Sequence, residues 1–84
     1  MDDVNVYIVP VRVGPDKTAL RVAMDNAKLG VWRLERLSGV SHQTLANLAN
    51  GKGGVERRKA DAIADALGMT TGQLFAHKDG MPPA

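Results

Sequence analysis

The chain has 84 residues, with 11 Lys and Arg against 9 Asp and Glu, a net charge of +2, 44% hydrophobic residues and no cysteine. A chain of this length makes one small domain that buries about 60–65% of the surface its unfolded form exposes, enough for three or more packed helices. Without cysteine there is no disulfide framework or thiolate metal site, and no apolar run approaches the ~20 residues that span a bilayer. Asp2 and Asp3 stand where a signal region would be basic, so the expected location is cytoplasmic.

Val4 to Val13 (VNVYIVPVRV) is rich in β-branched residues and reads as a strand interrupted at Pro10. Val4, Val6 and Ile8 fall on one face and Tyr7, Val9, Val11 and Val13 on the other, and nothing later in the chain reads as a second strand. Two arrangements stay open. The strand pairs antiparallel with its copy in a second subunit, with Val4, Val6, Tyr7, Ile8 and Val9 as dimerisation residues, or it packs as an extended arm over the helices of its own chain. Residues 1–14 form this arm, 15–76 the helical domain and 77–84 a tail.

Gly14-Pro15-Asp16 is a turn, and Asp16 or Thr18 is the cap of a first helix whose Leu20, Ala23, Met24 and Ala27 recur at i, i+3, i+4, i+7. Arg21 and Asp25 are spaced i, i+4 as a surface pair. Between Val31 and Gly51 two short helical patterns meet at Gly39. Leu34 and Leu37 mark the apolar face of the first, and Leu45, Leu48 and Ala49 that of the second. Gly39 allows the positive φ of a tight turn, Val40 plugs the angle between the helices and Ser41 is a good N-cap. At about 100° per residue, Gln43, Ala46, Asn47 and Asn50 share the outer face of the second helix, with His42 beside them at its N-terminal end. A solvated face usually carries Lys and Glu, whereas an amide has a donor and an acceptor on one plane and can pair bidentately with adenine in a major groove.

Trp32, the single tryptophan, reads as a packing residue, and Arg33 either contacts a phosphate or solvates its helix. Lys52-Gly53-Gly54 lacks the spacing and the Ser or Thr of a nucleotide P-loop, but its amides and Lys52 suit a single phosphate. Glu56 to Leu67 forms a fourth helix on Ala60, Ile63, Ala64 and Leu67, stopped by Gly68. Arg57 either contacts a phosphate or pairs with Asp61 at i, i+4. Thr70 and Gln73 form the capping box of a last short helix whose Leu74 and Phe75 close the core. From Lys28 to Lys59 there are seven basic and two acidic residues, a balance of +5, against four basic and seven acidic elsewhere, a balance of −3. Positive charge thus brackets the amide-rich helix, as a footprint on a phosphate backbone would.

The pattern L-(x)4-G-V-S-(x)3-L-(x)2-L-(x)-N-G, from Leu34 to Gly51, resembles the DNA-binding domain of the lambda repressor and Cro family, the XRE-type helix-turn-helix. Ile63 to Met69 and Gln73 to Phe75 are similar to that family's closing helices, and the resemblance covers roughly Leu20 to Phe75. It implies a mainly α, five-helix lambda-repressor-like domain, here with an added N-terminal β-strand. It further implies a sequence-specific double-stranded DNA-binding transcriptional regulator, a small phage or bacterial repressor acting by operator occupancy as a homodimer on a pseudo-palindrome. His42, Gln43, Ala46 and Asn47 would face bases, and Arg33, Ser41, Thr44, Asn50, Lys52 and Arg57 phosphates. No cofactor, metal, membrane or small-molecule substrate is implied, and no catalytic grouping can be placed.

In some members of the family an aromatic stands where Trp32 does, which implies packing against the first or closing helices, and the chain departs from the family at two positions. Val31 replaces a Gln that contacts a phosphate, and Glu35 replaces a small Ala, so Glu35 is expected to tilt outward or pair with a neighbouring Arg. Two rival classes remain: an antitoxin-type helix-turn-helix protein whose apolar arm masks a protein partner, and an excisionase-like architectural DNA binder, which would usually carry a wing hairpin.

Overall fold

A computed structural model describes residues 7–77. Five helices, α1 (Ala19–Ala27), α2 (Val31–Ser38), α3 (His42–Ala49), α4 (Arg57–Ala66) and α5 (Thr71–Leu74), follow the order that the apolar spacing predicts. Their ends are set by local chemistry. Thr18 caps α1, accepting from the Arg21 N–H at 3.0 Å. α2 stops at Gly39 with φ +79°. At the end of α3 the Lys52 N–H reaches the Asn47 carbonyl at 2.8 Å and Gly51 takes φ +79°, a left-handed stop that glycine adopts without steric cost. Both hydrogen bonds of the Thr70–Gln73 capping box are present.

α2 packs against α3 and α4, and α1 against α3 and α5, around fully buried Leu20, Leu34, Leu45, Leu48, Ile63, Leu74 and Phe75. One polar group enters this core. The Thr18 hydroxyl, while capping α1, donates to the Ala49 carbonyl at 2.9 Å, tying the start of α1 to the last turn of α3. That bond satisfies a buried hydroxyl and fixes where α3 ends.

The N-terminal segment is three short strands, β1 (Tyr7–Pro10), β2 (Arg12–Gly14) and β3 (Lys17–Thr18), where a single interrupted strand was expected. β2 and β3 form a hairpin. The expectation that β1 has no partner in the chain is overturned. It lies between β4 (Val55–Glu56) and β5 (Phe75–His77), antiparallel to both, with Ile8 opposite Val55 on one side and His77 on the other. Those partners are two and three residues long, too short to show any alternation in sequence. Ile8 is thus paired on both sides, Tyr7 with β4 and Val9 and Pro10 with β5, so β1 finds its ladder partners inside its own chain. Ile8 is wholly buried and is a core residue rather than an interface residue, and Val9 pairs with Ala76. Val4 and Val6 lie outside the described residues. His77, expected in the tail, closes the sheet instead.

Two further side chains depart from expectation. Trp32 is 64% exposed and Leu37 58%, so neither belongs to the core. At about 100° per residue Trp32, Arg36, Arg33 and Leu37 occupy one arc of α2, opposite the Val31, Leu34 and Ser38 side that meets the other helices.

Candidate nucleic-acid interface

α3 is held at its N-terminus from two directions. Ser41 is the N-cap: its Oγ accepts from the Thr44 N–H at 3.3 Å and donates to the Thr44 Oγ1 at 3.0 Å. Glu35, on α2, reaches across the turn so that one carboxylate oxygen accepts from the His42 backbone N–H at 2.9 Å and lies 3.3 Å from His42 Nδ1. A carboxylate there satisfies a helix-terminal donor and complements the positive end of the helix dipole. The Glu35 pKa is accordingly lowered, chiefly by the bond from the His42 backbone; partial desolvation opposes the shift and the His42 ring adds to it. Glu35 therefore pairs with His42 instead of an arginine, and the departure from the usual Ala has become a clamp between the two motif helices.

Trp32 completes this arrangement. Its ring stacks on the His42 imidazole with centroids 3.7 Å apart and planes 24° from parallel. Packing against the first or closing helices does not occur. The i, i+3 spacing of Trp32 and Glu35 was available in the sequence, but nothing in it showed that both would converge on the first residue of α3.

The outer face of α3 has the predicted composition. Gln43, Asn47 and Asn50 are exposed, and Thr44 and Ala46 are half-buried. The Gln43 and Asn47 side chains make no hydrogen bond or ion pair with any described residue, so their amide donors and acceptors are available to a ligand. Asn50 is the C-cap of α3, and its Oδ1 accepts from the Arg21 guanidinium at 3.0 Å, leaving its two N–H donors outward. Arg21 thus bonds to Asn50 and not to Asp25.

Arg12, on β2, reaches the same end of the helix. A Cβ placed on Gly51 would come within 2.8 Å of Arg12 Nη2, so the bare glycine gives the guanidinium its room. Arg12, Arg21 and Lys52 gather positive charge around the C-terminal turn of α3. Arg12 and Arg21 were not among the sequence-predicted contacts, since only the folded position of the hairpin and α1 brings them there. Beside them, Thr44, Asn47, Leu48, Lys52, Gly53 and Gly54 line a cleft of about 250 Å³. Arg33 is exposed on α2. Arg57 lies 3.9 Å from Asp61 on the next turn of α4. Among the described residues no group of His, Cys, Asp and Glu could hold a metal ion, and no helix is long and apolar enough to cross a membrane.

The Glu35 clamp has a pH signature. A carboxylate whose folded pKa is lowered stabilises the fold above its ordinary range, and that contribution is lost as pH falls through the lowered value. Urea unfolding of wild type and Glu35→Gln from pH 7 to pH 3 is expected to show wild type more stable at pH 7 and the gap closing at the acid end. A gap that grows towards acid would contradict the clamp.

A family model for the Cro/C1-type HTH DNA-binding domain matches residues 19–80, from the first residue of α1 through the closing strand β5. Comparisons with curated proteins and with solved structures gave no match. The matched segment contains α2, α3, their glycine turn and the whole amide-rich face, so the chain belongs to the Cro/C1-type helix-turn-helix DNA-binding family.

Proposed function

We propose that this protein is a sequence-specific, double-stranded DNA-binding transcriptional regulator, a small bacterial or phage repressor that acts in the cytoplasm by occupying its operator. The observation that carries the reading is the exposed, uncharged amide face of α3, whose Gln43 and Asn47 side chains make no bond with any described residue, with cations at the helix's end. With α3 in the major groove, Gln43 and Asn47 discriminate bases, Ala46 offers a methyl to thymine, and His42 stands at the leading end. Thr44, Asn50, Lys52 and Arg33 set the register on phosphates, joined by Arg12 and Arg21 at the far end of α3 and by the backbone N–H of Ser41, whose hydroxyl proton goes to Thr44. Thr44 suits this role because its Oγ1 accepts from Ser41 and keeps its own proton to donate. For Arg57, the nearby Asp61 carboxylate supports a structural part.

A reader this small makes few base contacts, so two copies on a pseudo-palindrome, with half-sites about 34 Å apart, supply the affinity of a regulator. With β1 paired to β4 and β5 inside its own chain, contact between copies is expected elsewhere on the domain. The interface is tested by amide chemical-shift mapping of the labelled protein with a short duplex. Perturbations are expected at residues 41–54, the α2 N-terminus, Arg12 and Arg21. Perturbations confined to the groove lined by Val13, Val22 and Met69 would refute the assignment.

Lys52→Ala is expected to weaken binding to specific and random duplexes alike and to reduce the slope of log K against log salt by about one. Fluorescence anisotropy at several salt concentrations measures both quantities. A loss restricted to the specific duplex would make Lys52 a base reader.

A further inference from the structure

His42 is the first residue of α3, and two contacts fix its ring while a third holds its backbone. One face is covered by Trp32 at a centroid distance of 3.7 Å, Nδ1 is 3.3 Å from Glu35 Oε2, and the same oxygen accepts from the His42 backbone N–H at 2.9 Å. An ionised carboxylate only accepts hydrogen bonds, so the proton of this contact belongs to Nδ1. In the neutral imidazole Nε2 then carries a lone pair and no hydrogen. His42 Nε2 has no partner among the described residues, and no buried side-chain nitrogen or oxygen lacks one, so Nε2 faces solvent. The clamp therefore presents a hydrogen-bond acceptor of fixed direction at the leading end of the helix.

In the major groove the donors that an acceptor can meet are the exocyclic amines, N6 of adenine and N4 of cytosine. Guanine O6 and N7 and thymine O4 would oppose it lone pair to lone pair. We propose that neutral His42 reads the exocyclic amine of an adenine or cytosine through Nε2, with Trp32 and Glu35 as positioning residues that fix its ring and its proton. This inference rests on the reading that α3 enters the major groove. It also accounts for an exposed tryptophan that the core does not use.

The test has two readouts, both on the full chain at pH 8. Long-range ¹H–¹⁵N spectra of the imidazole give its tautomer without DNA. The expected result is Nδ1–H with a bare Nε2; a ring held predominantly as Nε2–H would overturn the proposal. The second readout is atom-specific. In the duplex selected by wild type, the base pair whose preference His42→Ala abolishes is rebuilt without its amine, using deoxynebularine for adenine or deoxyzebularine for cytosine.

Wild type is expected to lose about 3- to 10-fold in affinity, the worth of one neutral hydrogen bond, and His42→Ala to lose nothing further. Trp32→Ala, an exposed substitution, should become insensitive to the amine, and Trp32→Phe should regain the sensitivity by restoring the stack. Unchanged wild-type binding to the amine-free duplex, or a motif indifferent to His42→Ala, overturns the inference and leaves base reading by Gln43 and Asn47 standing. If wild type selects no motif although its ring is Nδ1–H, the base-reading function of α3 falls, and this inference with it.

Discussion

Ile8→Ala is expected to destabilise the protein by about 2–5 kcal/mol, the usual cost of truncating a fully buried aliphatic side chain. Ile8 is 0% exposed on the central strand of the small sheet, opposite Val55, in a strand that packs against α3 and α4. Its loss leaves a cavity where the sheet meets the helices. Val13→Ala, at a position 59% exposed, should fall within about 0.5 kcal/mol of wild type. Urea denaturation of both variants measures the contrast. For the same reason, deleting residues 1–13 should unfold the domain rather than release a folded monomer. An Ile8→Ala protein of unchanged stability but altered oligomeric state would return β1 to the role of an intersubunit strand.

Gln43→Ala and Asn47→Ala are each expected to cost about 1–3 kcal/mol on the selected duplex, roughly 5- to 150-fold in affinity, and little on random DNA. Neither amide supports the fold through a bond to another described residue, so both variants should keep wild-type stability. Any affinity change is then a change in contact with DNA. Because the penalty comes from unpaired base-edge groups, it should fall on particular base positions and leave the salt slope as it was. Equal losses on specific and random duplexes would move these residues from base reading to phosphate contact.

The helices were legible because each carries a repeated signal: the stripe of Leu20, Ala23, Met24 and Ala27, the glycine stops, and the caps at Thr18, Ser41 and Thr70. The sheet was not, since Val55–Glu56 and Phe75–His77 are strands only by virtue of lying against β1. At Trp32 and Leu37 an apolar side chain on a short helix was read as core. Leu37, about 60° round α2 from the buried Leu34, falls on the exposed arc with Arg33 and Arg36, and Trp32 found its partner in the surface His42.

Glu35 looked misplaced because a small residue is usual there; what it bonds lies across the turn, at a separation the periodicity of either helix does not encode. The outer face of α3 was readable from helical geometry alone. The added cations Arg12 and Arg21 required the hairpin and α1 to be folded against the end of α3.

The most direct test of the central claim is selection of the purified protein on a random-sequence duplex library, followed by sequencing, at two salt concentrations. A sequence-specific regulator should recover a two-fold motif, with half-sites about one helical turn apart, that persists at the higher salt. Enrichment of no sequence, with binding that disappears as salt rises, would contradict it: the basic residues would then be acting alone, and the amide face of α3 would not be a reader of bases.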